Sequence, residues 1–130
     1  MAPPTVELRR LGTGNIPAIL AIEARSYPTP WSRTMFESEI LKQTSVCLGA
    51  FEPDGGLVGY AIVSRYVDAW HIMNIAVAPE ARRQGVASTL LTGVFTLTEG
   101  DGRRGWTLEA TPCRRASGAT AMFMMCHAST

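Results

Sequence analysis

The sequence predicts a mixed α/β (α+β) domain in which an antiparallel meander of strands precedes a parallel strand–helix–strand unit. Three apolar segments, Ser45–Phe51, Leu57–Val67 and Ile72–Ala78, are joined by short turns. The third is followed by an amphipathic stretch and then by a short apolar segment, Trp106–Glu109. Strands joined through a helix pair in parallel with a right-handed crossover, so the last two strands should be parallel.

Size and composition favour one ordinary globular domain spanning 1–130. The chain has 130 residues, a net charge of +1 and 46% apolar residues, so it lacks the strong positive field typical of nucleic-acid binding. The cysteines Cys47, Cys113 and Cys126 are odd in number and lack the spacing of metal ligands, which predicts no metal and a reduced, cytoplasmic protein. We find no signal-peptide pattern and no apolar run of about 18 residues, so no membrane association is expected.

The N-terminal part predicts a strand and a helix. Thr5–Leu11 alternates between apolar and polar residues, as a strand with one buried face does. Gly12–Asn15 is a turn, and Ile16–Arg25 has helical apolar periodicity. Asn15 is the expected cap of this helix, and Pro17 is tolerated in its first turn.

A proline-rich loop, Tyr27–Ser32, leads into the second predicted helix, Arg33–Leu41. Ser32 is the expected cap, because its hydroxyl can accept a hydrogen bond from a free N–H of the first turn. Trp31 is too large to be left in solvent without a reason. The plain interpretation is that it packs into the core and fixes the loop.

The meander continues through tight turns. Glu52–Gly56 combines Pro, Asp and two glycines and predicts a hairpin. Val67–Ala69 is a short turn into the central strand, Ile72–Ala78, which is apolar at nearly every position and should be buried on both faces. Pro79 ends that strand, because it cannot donate to a sheet ladder.

A basic turn then precedes the third helix, Val86–Glu99. It contains Arg82, Arg83 and Gly85, and glycine permits backbone angles and close approaches that a side chain blocks. A helix N-terminus presents unpaired N–H groups and a positive dipole, so with two arginines it suits a phosphate or pyrophosphate. The predicted buried stripe of the helix is Val86, Leu90, Val94 and Leu97, with Leu91 and Phe95 beside it.

The pattern Arg82-x-x-Gly85-x-Ala87, after a strand that ends Asn-Ile-Ala-Val, resembles the coenzyme A loop of the GNAT N-acetyltransferases. The resemblance covers about Val6 to Glu109. It implies acetyl-CoA as cosubstrate, with the pantetheine arm along the backbone of Ile75, Ala76 and Val77. The residues implied for the pyrophosphate are Arg82, Arg83, Gln84, Gly85, Val86, Ala87 and Ser88. Without the flanking strand and helix, the same six-residue pattern would equally suit an ordinary helix start.

The resemblance also implies the chemistry. Acyl transfer to an amine needs a base, and Glu109 ends the fifth strand where the family's Leu-Glu places that carboxylate. A backbone N–H near Val77 would stabilise the oxyanion of the tetrahedral intermediate. No covalent intermediate is required. The alternative for Glu109 is a solvated glutamate at a strand edge.

The acceptor is suggested by a second motif. Pro30-Trp31-Ser32 before a helix with an early phenylalanine is similar to the groove-forming loop of the RimI-type ribosomal-protein-alanine acetyltransferases. Trp31 and Ser32 are therefore expected at the acceptor site. An α-amino group has a pKa of about 7.7–8.0 against about 10.4 for lysine, so a carboxylate base deprotonates it more easily. The implied partner is a protein N-terminus, such as that of a small-subunit ribosomal protein; a lysine or small-molecule amine is the alternative.

Residues 110–130 depart from the family pattern. The family has an asparagine and a tyrosine where this chain has Arg114 and Ala121, and the tyrosine would protonate the departing thiolate. If the C-terminal strands are missing, the fifth strand has an unpaired edge through which copies could associate. Two alternatives stay open: an acyl-CoA-binding protein with little catalysis, and a helix at Ala116–Cys126 that covers the cleft.

Overall fold

The computed structural model describes residues 6–66, 69–98 and 106–108; for Tyr66 and for 106–108 it describes the backbone only. The strands are β1 Glu7–Arg10, β2 Ser45–Phe51, β3 Leu57–Tyr66, β4 Ala69–Val77 and β5 Trp106–Leu108. The helices are α1 Ile16–Ser26, α2 Arg33–Leu41 and α3 Val86–Thr98, and single 3-10 turns lie at Thr13–Asn15 and Pro79–Ala81.

The described strands form one mixed sheet in the order β1-β2-β3-β4-β5. Neighbouring strands from β1 to β4 are antiparallel, whereas β5 is parallel to β4 and pairs Trp106 with Trp70 and Leu108 with Ile72. Strand β5 follows α3, so β4, α3 and β5 form the crossover unit. The predicted fold class is thereby confirmed for the described residues, and the predicted absence of further strands concerns residues outside them.

Two apolar cores lie on opposite faces of the sheet. The alternation of side chains along each strand separates them, because neighbouring residues point to opposite faces. The core under α3, which we call the α3 face, contains the buried residues Val46, Leu48, Ala50, Val58, Ala61, Val63, Trp70, Ile72, Val77, Ala81, Val86, Leu90 and Val94. The opposite core, the α1/α2 face, contains Leu11, Ile16, Ile19, Ile22, Phe36, Cys47, Phe51, Tyr60, Ile62, Ala76 and Ala78.

The central strand is longer at its start than the sequence predicts. It begins at Ala69, which pairs with Tyr66, instead of at Ile72, so Ala69 is not part of a turn. The polar His71 hid this extension from the apolar pattern. At the other end Ala78 lies beyond the strand, although its N–H donates to the Val58 carbonyl at 2.8 Å.

The buried stripe of α3 differs from the prediction at its last position. Leu97 is 45% exposed, and Thr98, which is 2% exposed, takes the inner position. The helix packs along its i, i+4 row, so Thr98 follows Leu90 and Val94 in contact with the sheet. The Thr98 hydroxyl donates to the Val94 carbonyl at 2.9 Å, which satisfies the polar group in its buried position.

Asn15 occupies the predicted N-cap position of α1, although its side chain bonds elsewhere. The Asn15 side chain makes no capping bond to α1, and its Oδ1 atom accepts from the Gly12 N–H at 2.9 Å. Asn15 therefore closes the preceding 3-10 turn, which satisfies a donor that the turn would leave free. The helix itself ends at Ser26, one residue beyond the predicted end. The predicted bounds of α2 and β2 are confirmed, and Ser32 is the cap of α2, as predicted.

Candidate functional site

The basic turn between β4 and α3 has an unusual backbone. Arg83 has a φ of 65° and Gly85 a φ of 84°, so two residues of the left-handed region flank Gln84. A non-glycine residue rarely adopts this conformation, and turns of this kind gather N–H groups into a concavity that binds anions. At the start of α3, the Thr89 N–H donates to the Gly85 carbonyl at 3.0 Å. The N–H groups of the residues before Thr89 have no acceptor within the helix.

Most of the residues predicted for the pyrophosphate lie at this turn. Arg83, Gln84, Gly85, Ala87 and Ser88 are exposed there. Val86 is 2% exposed and packs into the α3 face. Its side chain therefore fixes the helix on the sheet, and only its backbone remains for a ligand.

The Arg82 side chain contacts the protein itself. Its Nε atom donates to the Val77 carbonyl at 2.8 Å and a terminal nitrogen donates to Ser26 Oγ at 3.2 Å. The guanidinium thus connects the turn to the end of β4 and to the end of α1. Nearby, the Arg25 guanidinium bonds Glu80 at 2.7 Å and lowers the pKa of that exposed carboxyl. The Arg82 side chain therefore stabilises the turn through these contacts.

The register of β4 on β3 determines which of its peptide groups point away from β3. Val77 pairs with Gly59, and the Ala78 N–H bonds the Val58 carbonyl, so Val77 is a non-hydrogen-bonded position of the β3–β4 ladder. The peptide groups of Val77 and, two residues earlier, of Ile75 therefore point away from β3. Those of Ala76 point toward β3. Of the three residues predicted for the pantetheine arm, Ile75 and Val77 present backbone groups to the side of β4 that faces away from β3, and Ala76 does not.

Side chains already contact both outward carbonyls. The Tyr27 hydroxyl donates to the Ile75 carbonyl, and Arg82 donates to the Val77 carbonyl. The N–H groups of the same two residues lie along this edge. Described pairing between β4 and β5 covers Trp70 to Ile72 only. The geometry thus presents a strand edge beside an anion-binding turn, which suits an extended ligand with a phosphate at one end.

The predicted acceptor loop lies against this edge. Ser32 caps α2 by accepting from the Met35 N–H at 3.3 Å. The Trp31 ring is partly buried and contacts Phe36 with ring centroids 5.0 Å apart. The backbone N–H of Trp31 donates to Glu23 Oε2 at 2.9 Å. Trp31 thus packs into the core as predicted and places the loop between α1 and α2.

A buried polar group beneath the loop was not recognised from the sequence. Glu23 is 1% exposed and accepts from the Tyr60 hydroxyl and from Asn74 Nδ2, the latter at 3.0 Å. Burial, together with the Glu23 charge and hydrogen bond, raises the pKa of Tyr60 well above its ordinary value, so Tyr60 stays protonated. The signal available in the sequence is a lone carboxylate on the apolar stripe of α1.

The predicted base, Glu109, lies outside the described residues, as do Arg114 and Ala121. Within the described ranges, no group of three or more His, Cys, Asp or Glu side chains is arranged to hold a metal ion. None of the described helices has the length and apolar character needed to cross a membrane.

Comparison with known proteins identifies the family. Residues 16–120 match the model of the acetyltransferase (GNAT) family. The Escherichia coli ribosomal protein bS18-alanine N-acetyltransferase is 33% identical over 115 residues, which are 88% of this chain and 73% of that protein. A Bacillus subtilis protein to which the same activity is attributed is 34% identical over 98 residues, or 75% of this chain. The chain spans 65% of the length of that relative.

Solved structures agree with this assignment. The crystal structure of the E. coli ribosomal-protein-S18-alanine N-acetyltransferase superposes with a TM-score of 0.74 at 28% identity, covering 81% of this chain and 66% of that one. The Thermoplasma acidophilum PaiA N-acetyltransferase, solved with coenzyme A, shares the fold with a TM-score of 0.69 at 17% identity, covering 83% and 79%. The chain therefore belongs to the GNAT acetyltransferase family.

Proposed function

We propose that this protein transfers an acetyl group from acetyl-CoA to the α-amino group of a protein N-terminus. The observation that carries the proposal is the meeting of two elements at one edge of the sheet. The Tyr27–Ser32 loop contacts β4 at Ile75, and the basic turn contacts β4 at Val77. An acceptor beside the loop and a coenzyme held by the turn would therefore approach the same two peptide groups.

The coenzyme would use the backbone of the site. The N–H groups of the turn and of the first turn of α3 would bind the pyrophosphate, with the positive end of the helix dipole behind them. The outward groups of Ile75 and Val77 would bond the pantetheine amides. The carbonyls there already accept from Tyr27 and Arg82, but a carbonyl has two lone pairs and can accept a second donor.

The transfer itself requires an amine without its proton and a site for the oxyanion. We assign the base to Glu109 and the oxyanion donor to an N–H of β4 near Val77, as the family resemblance implies. The amine nitrogen forms a bond to the acetyl carbon, the thioester bond breaks, and the base accepts the amine proton. Water can protonate the departing thiolate.

The acceptor we propose is the N-terminus of a small-subunit ribosomal protein, so the protein would act in the cytoplasm. This is supported by the relatives, which are described as bS18-alanine N-acetyltransferases, and by the Pro30-Trp31-Ser32 loop. It also agrees with the lower pKa of an α-amine, about 7.7–8.0, compared with about 10.4 for lysine.

Coenzyme binding is tested by calorimetric titration of Gly85→Glu with acetyl-CoA. The substitution introduces bulk and negative charge at the exposed Gly85, whose φ is already positive, and we expect affinity to fall at least about 100-fold. Gly55→Glu is the matched control, because Gly55 also has a positive φ and open surroundings but lies in the β2–β3 hairpin. Equal affinity in both variants would contradict the proposed coenzyme site.

Acceptor choice is tested by mass spectrometry of peptides that carry both a free N-terminal alanine and an internal lysine. We expect the acetyl group on the α-amine. Preferential lysine modification would contradict the proposed acceptor while preserving the coenzyme site. Coenzyme binding without turnover would favour the acyl-CoA-binding alternative.

A further inference from the structure

A buried carboxylate lies in the last turn of α1, among apolar neighbours. Glu23 is 1% exposed, and Ile19 and Ile22 on the same helix are 0% and 4% exposed. A buried acidic group is costly unless its oxygens accept hydrogen bonds. The described contacts of Glu23 are all with donors: the Trp31 N–H, the Tyr60 hydroxyl and the Asn74 amide.

The two carboxylate oxygens serve different parts of the molecule. Oε1 accepts from Tyr60 on β3 and from Asn74 on β4, at 3.0 Å from the Asn74 nitrogen. Oε2 accepts from the Trp31 backbone at 2.9 Å, eight residues along the chain. A single side chain therefore joins the sheet to the loop that precedes α2.

Contacts between aromatic rings connect Trp31 to Tyr60 by a second route. Trp31 contacts Phe36 at 5.0 Å between centroids, and Phe36 meets Tyr60 edge-on at 5.8 Å. Tyr60 then returns to Glu23 through its hydroxyl. The aromatic contacts restrict the tryptophan ring, whereas the Glu23 bond fixes the backbone of the loop.

We propose that Glu23 is a positioning residue for the acceptor. Its carboxylate holds the Tyr27–Ser32 loop at the edge of β4 by accepting a hydrogen bond from the backbone N–H of Trp31. This rests on the proposed function, in which that loop borders the acceptor. Glu23 lies beneath the loop and touches neither the basic turn nor the outward groups of β4 among its described contacts. Its loss therefore weakens acceptor binding and leaves coenzyme binding nearly unchanged.

The three donors would respond differently to a substitution of Glu23, and this difference provides the test. The Tyr60 hydroxyl can rotate and the Asn74 amide can turn over, so both can accept as well as donate. The Trp31 N–H can only donate. Glu23→Gln therefore keeps an oxygen for Trp31 and offers its amide to the other two. Glu23→Met has a similar length and no comparable acceptor.

For Glu23→Met we expect the KM for an acceptor peptide to rise about tenfold, the scale of a lost hydrogen bond. The Kd for acetyl-CoA, measured by calorimetry, stays within about twofold. Glu23→Gln restores the acceptor KM to within about threefold of wild type. The control is Glu39→Gln on α2, whose carboxylate accepts from Ser45 and Lys42, away from the loop.

Three outcomes would overturn the proposal. One is an unchanged acceptor KM in Glu23→Met, and another is an equal loss of acceptor and coenzyme affinity. The third is a failure of Glu23→Gln to rescue, which would assign the role to the negative charge.

A second measurement uses the wild-type protein and needs no activity. Amide hydrogen exchange by NMR should show Trp31 protected at least about 100-fold over an unstructured peptide, although its loop is largely exposed. Exchange of Trp31 at the rate of its exposed neighbours would overturn the proposal even if Glu23→Met fails to fold. Protection of Trp31 in a protein without transferase activity would preserve the positioning contact and refute the proposed function instead.

Discussion

The two faces of the sheet are built in different ways. The α3 face is packed by aliphatic side chains and Trp70, and its helix contributes Val86, Leu90 and Val94. The α1/α2 face surrounds a carboxylate with Tyr60 and Asn74 and carries the loop proposed to receive the acceptor. Apolar packing adjusts to small changes in shape, whereas a buried carboxylate needs every donor in place. We therefore expect a cavity in the α3 face to affect stability alone, and the loss of a donor to Glu23 to affect the geometry of the site as well.

Leu90→Ala tests the α3 face and should have the largest effect on stability. Leu90 is 0% exposed, and removing a buried leucine costs about 2–5 kcal/mol in free energy of unfolding because the cavity closes only in part. Urea denaturation measures this loss. The acceptor KM of the folded fraction should stay at its wild-type value.

Leu41→Ala is the control, because Leu41 is 71% exposed and should contribute little. A loss below about 1 kcal/mol for Leu90→Ala would contradict the expected contribution of the α3 face to stability.

Tyr60→Phe tests the α1/α2 face and should have an intermediate effect. It removes one donor to Glu23 while preserving the ring contact with Phe36. Leaving a buried carboxylate short of a donor costs about 1–3 kcal/mol. We expect the urea midpoint to fall less than in Leu90→Ala, and the acceptor KM to rise.

Tyr27→Phe gives the comparison for stability alone, because it removes a hydroxyl whose acceptor is a partly buried carbonyl; the same bond holds the acceptor loop on β4, so its acceptor KM should also rise. If Tyr60→Phe were as stable as wild type and had the same acceptor KM, the two faces would not differ in the way described.

Cys47→Ala should have the smallest effect on the pH dependence of stability near neutral pH and a measurable effect in alkaline solution. Burial is the main cause that raises its pKa from 9.0 to about 12 in the α1/α2 face. The folded protein thus retains a proton that the unfolded chain releases, so this contribution to stability is complete below about pH 9 and is lost as the pH rises toward 12. Stability of wild type should fall more steeply across that range than stability of Cys47→Ala. Parallel curves from urea denaturation would contradict the prediction.

Much of the candidate site could be predicted from the sequence because it depends on local chemistry. Gly85 with its flanking strand and helix indicated the turn, and Ser32 indicated the start of α2. The resemblance also indicated the backbone of Ile75, Ala76 and Val77 for the pantetheine arm, and this stays a prediction. Glu109 stays a prediction, since it lies outside the described residues. The Arg82 side chain was expected near phosphate, yet its contacts with Val77 and Ser26 depend on residues that only the fold brings together.

The sequence by itself determined the order of strands and helices, since period-2 and period-3.6 patterns and turn residues act over a few positions. It also determined the basic turn. Only the tertiary structure decided which peptide groups of β4 point outward, because register depends on pairing with β3. It likewise decided the role of Glu23, whose donors lie 8, 37 and 51 residues along the chain. A hydrogen bond is set by distance in space, and a local pattern does not encode contacts across such separations.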